Sequence, residues 1–336
     1  MYSAKEHAGL PTYHKATAGQ VKRMVRSRNL VLLLCILLAS GTGLRAQEKA
    51  DQGRKVSFTL QFVITPESDT QQTVLTFLVP ANLEGRQKVV QLKYSRRPTS
   101  EFSQGGNHYA RFLLNNPRTP IKIRMDAELV LYRYDLATAA RAQRATPVPR
   151  PDVRKYLANE KFLEKNAPAV RQAAERITGD SELETLRNIM AYVKKTLQYS
   201  GWNKEDYGAL GALRRKEGDC TEFSDLFVAL SRAKNIPARR WEGYLTTRVK
   251  TADTAQHNWV EVFTHAYGWV PLDPLHFAQG SATFESLRPT RIYLSSVRND
   301  PVLHNNYIYY YQYWGGPVTV KQTYAVHTQA EVPVKN

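Results

Sequence analysis

The hydrophobic period changes once along this chain, and that change limits what the chain can fold into. Before Thr146-Pro147-Val148-Pro149-Arg150-Pro151 the apolar residues alternate with a period of two. Val56, Phe58, Leu60, Phe62 and Ile64 share one side of an extended run, and Thr73 to Val79 is a second run rich in Val, Leu and Phe. Turn-forming clusters such as Thr65-Pro66-Glu67-Ser68-Asp69 and Gln104-Gly105-Gly106-Asn107 separate these runs. Successive side chains of a strand leave opposite faces, so the region from Lys55 to about Arg133 is expected to be an antiparallel β-sandwich. The Pro-rich stretch reads as a stiff linker. After it the period becomes helical, with helices expected over Val153–Lys165, Val170–Thr178 and Glu182–Leu197. The last places Leu183, Leu186, Ile189, Met190, Val193 and Leu197 on one face, and Ser181 with Glu184 three residues on fits a capping box.

Residues 1–46 stand apart from this plan. Leu30 to Leu38 is an unbroken apolar run preceded by Lys22, Arg23, Arg26 and Arg28, and Gly41 to Ala46 supplies small residues for cleavage after Ala46. That is the layout of a signal peptide, and Met24 would give it a more usual length. A membrane span needs about 20 apolar residues, so an uncleaved anchor is the less favoured alternative. The expected organisation is a leader at 1–46, a sandwich at 47–145, a linker at 146–152, and at 153–336 an α+β domain with Tyr-rich strands at its end. The expected location is periplasmic or secreted. Of the net charge of +17, the leader carries +6, leaving about +11 on the exported part. Arg86, Lys88, Lys93, Arg96 and Arg97 form a loose basic stretch, best taken as a solvated strand face. No nucleic-acid module, cofactor motif or paired metal-ligand spacing is present in the sequence.

Cys35 lies inside the leader, so Cys220 is the one thiol of the exported part and no intrachain disulfide can form there. Phe223, Leu226, Phe227 and Leu230 follow it at i, i+3, i+4 and i+7, which predicts a buried helix from about Cys220 to Ala233 entered through Gly218-Asp219. A thiol at a helix N-terminus faces unpaired N–H groups and the positive end of the dipole, which favours the thiolate. That contribution is at most about 1.4 kcal/mol, so a base is needed. Gln256 to Phe263 alternates like a strand and Gly268 to Pro274 reads as its hairpin return. A three-residue loop centred on His265 would set His257 opposite Asp273. A five-residue loop centred one residue away would make them diagonal neighbours on the same face. Either way Asp273 can orient the imidazole, giving a thiol triad of Cys220, His257 and Asp273. On spacing alone the plainer readings stay open: a core cysteine, a hydrogen-bonded sheet histidine, and a turn cap before Pro274.

Gly218-Asp219-Cys220, Ser224 to Arg232, Asn235-Ile236-Pro237-Ala238-Arg239, Gly243-Tyr244, His257 to Val262 and Gly268 to Pro274 together resemble the core of the transglutaminase-like superfamily. The resemblance implies a papain-like fold with Cys220 as nucleophile, His257 as base and then acid, and Asp273 orienting His257. It also implies an oxyanion hole made by the Cys220 N–H and an upstream side chain, for which Tyr199 and Trp202 are the candidates. Thr221 stands where animal transglutaminases carry Trp, and no acidic loop suits calcium, so calcium-dependent crosslinking is not expected. Asn258 stands where most bacterial relatives have Ala and could add a hydrogen bond near the site.

Trp241, Trp259 and Trp269 are candidates to line a substrate groove, although tryptophans beside a sheet more often belong to the core. Tyr307, Tyr309, Tyr311 and Tyr313 alternate with Ile308, Tyr310 and Trp314, as expected of a late strand closing the catalytic sheet. His265, His276, His304 and His327 read as turn or surface residues. The expected activity is an exported thiol hydrolase, a peptidase or amidase acting on a peptide, protein or cell-wall peptide. The alternatives are a transferase linking an amine to a glutamine-type carboxamide, and a binding module that keeps the fold without catalysis.

Overall fold

Val56, Phe58, Leu60, Phe62 and Ile64 are each no more than 1% exposed, so the alternation in the first apolar run does face a core. A computed structural model describes residues 53–145, 152–203, 205–247 and 256–328, all within one unit, Asp51–Asn336. The expected leader at 1–46 and linker residues 146–151 lie outside the described residues. In chain order the main elements are β1 (Arg54–Pro66), β2 (Thr70–Leu78), β3 (Gln87–Tyr94), β4 (Ser100–Gln104), β5 (Asn107–Asn115) and β6 (Ile121–Leu131). Helices α1 (Leu136–Ala145), α2 (Pro168–Glu175), α3 (Glu182–Thr196), α4 (Gly208–Arg215) and α5 (Cys220–Ala233) follow. The chain then forms β7 (Ala238–Leu245), β8 (Gln256–Thr264), β9 (Gly268–Leu272), α6 (Pro274–Ala278), β10 (Arg291–Ser295), β11 (Tyr309–Gly315) and β12 (Val318–Thr328).

The fold is α+β. Two four-stranded sheets, β12-β1-β6-β3 and β11-β2-β5-β4, make an antiparallel sandwich, and a third sheet, β9-β8-β7-β10, carries the helices. The Tyr-rich strand does not close the catalytic sheet. β11 pairs with β2 from Tyr309↔Phe77 to Gly315↔Thr70, and β12 pairs with β1 along its length. The reason is packing: β1 and β2 are apolar enough to be interior strands, and each needs a second neighbour that only the C-terminal segment supplies. Tyr309 packs edge-on against Phe62 with ring centroids 5.0 Å apart.

Helix α5 is buried on nearly every side, from Thr221 through Arg232. A helix of that kind must be a central element rather than a surface one. Its end is set by Asn235, which takes a left-handed φ of 58° and turns the chain into β7. α3 also starts as expected, with the Ser181 hydroxyl accepting from Glu184 N at 3.2 Å, but the Glu184 carboxylate reaches Asp180 N (2.8 Å) rather than closing the box on Ser181. The helix expected over Val153–Lys165 is only a 3-10 turn at Arg154–Leu157: Ala158 is already extended, with ψ 149°, and Phe162 at φ 70° prevents a restart.

The sandwich and the third sheet share a polar seam. Gln87 uses its amide as a strand would, donating to Tyr293 O (3.0 Å) and accepting from Tyr293 N (2.9 Å). Arg86 is no part of a solvated basic face; it bonds Glu261 (3.2 Å) and Trp269 O (2.7 Å) on β8 and β9. Tyr244 of β7 reaches the sandwich core, its ring 5.1 Å from Phe58 and 4.9 Å from Tyr324.

Strands β7 and β10 approach most closely at Gly243, where an added Cβ would lie 1.8 Å from the Ile292 carbonyl oxygen. Gly243→Ala is therefore expected to cost at least about 3 kcal/mol in urea unfolding, since backbone cannot yield as a flexible side chain can. A variant as stable as the parent would show that β10 does not pack there.

Candidate active site

Asp219 begins the site. Its carboxylate caps α5 by accepting from Thr221 N (2.7 Å) and ties down the preceding loop by accepting from Asn203 N (3.0 Å). Glu222 completes a capping box by accepting from Asp219 N (3.0 Å), and also takes Tyr207 N (3.0 Å). Burial pushes the Glu222 carboxyl up to about 7; the Tyr207 N–H opposes this and the Asp219 charge adds to it. These contacts fix the first turn of α5, and with it Cys220, which is partly exposed.

The imidazole comes from the start of β8. The β8–β9 register pairs Thr264 with Gly268 and Val260 with Leu272, so the loop holds three residues and centres on Ala266. That is one residue beyond the centre needed for direct opposition. Asp273 is level with Trp259 and diagonal to His257, close enough for His257 Nε2 to donate to Asp273 Oδ2 at 2.8 Å. The bond places the Nε2 proton toward the carboxylate and leaves Nδ1 as the free lone pair. Asn258, the next residue of β8, reaches the thiol itself: Nδ2 lies 3.7 Å from Cys220 Sγ and 3.0 Å from Thr221 Oγ1. Thr221 Oγ1 in turn contacts Tyr307 OH at 3.2 Å, so the segment returning to the sandwich also touches the site.

Asp273 is 1% exposed and heavily engaged. Oδ1 caps α6 by accepting from His276 N at 2.9 Å. Oδ2 accepts from Arg291 Nε (3.0 Å) and Nη2 as well as from His257. Burial acts to raise its pKa, but the facing charges of His257 and Arg291 outweigh it and hold the carboxyl well below the usual carboxylate range. His257 is lowered, chiefly by burial, against the pull of Asp273. Burial also pushes the Cys220 thiol up; Asp219 adds to that, and the Asn258 hydrogen bond opposes it. The helix-start argument for a depressed thiol is thus opposed at Cys220 by burial and by the Asp219 charge.

Two participants were invisible in the sequence. His276, read there as a turn or surface residue, stacks on His257 with centroids 4.4 Å apart and planes 20° from parallel. Arg291 bonds both Asp273 and His276 Nδ1 (2.8 Å). His257, Asp273 and His276 bring donor atoms within 4.8 Å of one another, yet Arg291 already uses two of the three, so the cluster is closed by a guanidinium rather than open to a metal ion. Only Asp-Pro starting a short helix hinted at the His276 contact, and nothing local marks Arg291.

The other candidates separate. Tyr199 and Trp202 are 54% and 65% exposed, and Tyr199 lies in the two-residue strand Gln198–Tyr199 that pairs with Glu217–Gly218 just before the thiol. Trp241 and Trp259 do not line a groove. They are 7% and 0% exposed and both pack edge-on against Tyr293, with Trp241 Nε1 donating to Glu261 at 2.7 Å. Trp269 lies under Arg239 and against Tyr156 and Phe263. Of the remaining histidines, His265 is a turn residue bonded to Glu182 at 2.9 Å.

A partly exposed cysteine heads a central helix packed on a sheet that carries a bonded His–Asp pair, an arrangement similar to the core of transglutaminase-like thiol enzymes. Residues 171–274 match the Transglutaminase-like superfamily, and that segment carries its core. The whole fold is similar to the crystal structure of a candidate cysteine protease from Cytophaga hutchinsonii, with 15% identity, a TM-score of 0.59, and coverage of 83% of this chain and 92% of that one. The periplasmic domain of TgpA from Pseudomonas aeruginosa aligns with 16% identity and a TM-score of 0.31 over 68% of this chain and 73% of that one. In sequence, 95 residues are 34% identical to protein YebA of Bacillus subtilis (strain 168), spanning 25% of this chain and 13% of YebA. Among the described residues no helix is long and apolar enough to cross a membrane.

Directly opposite Asn258 in the β7–β8 register stands Glu242, bonded to Arg240 at 3.0 Å. Burial pushes Glu242 up to about 7 from 4.5, against the pull of Arg240. Through that window the native state holds a proton the unfolded chain has released, so stability falls as pH rises. Glu242→Gln should remove this share of the slope. Urea unfolding at about pH 5 and about pH 7.5 should show the wild-type loss exceeding the variant's by roughly 2 kcal/mol; equal losses would refute the assignment.

Proposed function

We propose that this protein is an exported thiol hydrolase that cleaves an amide or peptide bond through a thioester formed on Cys220. The observation that carries the reading is the 2.8 Å His257–Asp273 bond, on a strand whose next residue contacts the Cys220 sulfur. The export part of the reading rests on the leader in the sequence.

In this reading His257 Nδ1 takes the proton from Sγ as the sulfur attacks the substrate carbonyl carbon. The neutral thiol and neutral imidazole of the resting site make transfer concerted with attack, with Asp273 stabilising the imidazolium as it forms. The Cys220 N–H at the helix start serves as one oxyanion donor, and the exposed Tyr199–Trp202 segment offers a second. His257 then gives its proton to the leaving amine, the C–N bond breaks, and the amine departs. Water, deprotonated by His257, attacks the thioester; the acid product leaves and the proton returns to sulfur. The groups that hold His257 and Asp273 are buried, so the pair enters the reaction already oriented.

The decisive measurement follows acyl-enzyme formation and amine release from unstructured peptides and from glutamine-containing peptides. Cys220→Ser and His257→Asn should each lower turnover at least about 1,000-fold, and Asp273→Asn a comparable amount, with melting temperature retained in the first. Added primary amine should not be incorporated; incorporation at the expense of acid product would establish an amine transferase instead. Turnover by Cys220→Ser at the wild-type rate would refute thiol catalysis.

A further inference from the structure

The proposed reaction uses Cys220, His257 and Asp273, and leaves unexplained why a buried arginine is anchored on the orienting carboxylate. Arg291 is 4% exposed and extends from the first position of edge strand β10. Nε and Nη2 both converge on Asp273 Oδ2, the same oxygen that holds His257 Nε2. Nη2 also donates to His276 Nδ1 at 2.8 Å, and the His276 ring stacks on His257 at 4.4 Å. The guanidinium therefore touches both the carboxylate bonded to the imidazole and the ring stacked closest on it, while making none of its contacts with the thiol.

We propose that Arg291 is a positioning residue that clamps Asp273 and His276 about the His257 ring and sets a fixed positive charge beside the place where imidazolium must form. The inference rests on the thiol-hydrolase reading and deepens it.

Three consequences of geometry support it. Oδ2 accepts from both the guanidinium and the imidazole, so the carboxylate's charge is divided between them and less is left to favour imidazolium. Nδ1 of His276 lies 2.8 Å from Arg291 Nη2 and 3.1 Å from Asp273 Oδ2, which holds that ring face-on to His257. Replacement by lysine would keep the charge and lose the fork that holds two acceptors at once. The titratable and charged groups acting on the His257 ring are Asp273 and His276 at the start of α6 and Arg291 of β10; the Asp273 charge also acts on Cys220 of α5. Arg291 lowers the His257 pKa and Asp273 raises it, with burial the largest influence, also downward.

The test is the pH dependence of Cys220 alkylation by iodoacetamide in the full exported chain, which needs no knowledge of the substrate. His257→Asn comes first: it must change the acid limb of the wild-type profile, and an unchanged profile would sink the catalytic reading itself. With that limb assigned, Arg291→Gln is expected to move it upward, so that the variant reacts at least about threefold more slowly than wild type at pH 5.5 and approaches it above pH 8. Arg291→Lys should keep the limb and lose rate across the whole range. A limb unmoved in Arg291→Gln, or moved equally in both variants, would overturn the role of Arg291 while leaving the triad intact. Should Arg291→Gln fail to fold, Arg291→Lys decides: a rate loss across the whole pH range supports the clamp, and a profile identical to wild type refutes it.

Discussion

A carboxylate with almost no access to water cannot stay ionised unless its surroundings replace the lost hydration, and Asp273 is such a group. Its two oxygens are met by the start of α6, by His257 of β8 and by Arg291 of β10. Four elements are thereby locked at one point: the end of β9, the cap of α6, the first residues of β8 and the edge strand β10. A buried pair of this kind contributes little net stability compared with an apolar replacement, because desolvation offsets most of the attraction. What it does contribute is a single permitted arrangement, since any slip of register between β8 and β9 would leave a charge unpaired.

The same reasoning explains the seam between sandwich and catalytic sheet. Glu261 is 1% exposed and is met by Arg239 and Trp241 of β7 and by Arg86 from the sandwich. Asp300 is met by Asn107 and Tyr109 of β5, at 2.9 and 2.7 Å. Behind α5, Asp225 is held by Arg298, which also bonds Asp206 at 2.7 Å. Each buried acid finds its partner on a different element, so the two halves of the molecule dock in one way. With β11 and β12 returning to the sandwich, the chain leaves that layer, builds the third sheet and its helices, and comes back to complete what it began.

Much of this was legible in the residues. The inward face of β1, the extent of α5, the hairpin of β8 and β9 and the pairing of His257 with Asp273 all follow from periods of two and 3.6 and from turn chemistry, which are local rules. Local rules failed where the partner lay far off in sequence. The tyrosines of β11 look the same whether they close one sheet or another, and their placement was decided by the open edges of β1 and β2. Trp241 and Trp259 carry no local sign of which side of the sheet is covered. His276 lacked metal spacing and so read as surface, although Asp273 and Arg291 draw it onto His257.

By itself the sequence determined the strand and helix periods, the position of the thiol at a helix start and the reach of one carboxylate to one imidazole, because each depends on neighbours within about twenty residues. Only the tertiary structure decided the surroundings of those groups: Arg291 on Asp273, Asn258 on the sulfur, the stacked His276, and an upward rather than downward push on the thiol. Desolvation and charge pairing arise from whatever the fold brings close, and separation along the chain carries no record of them.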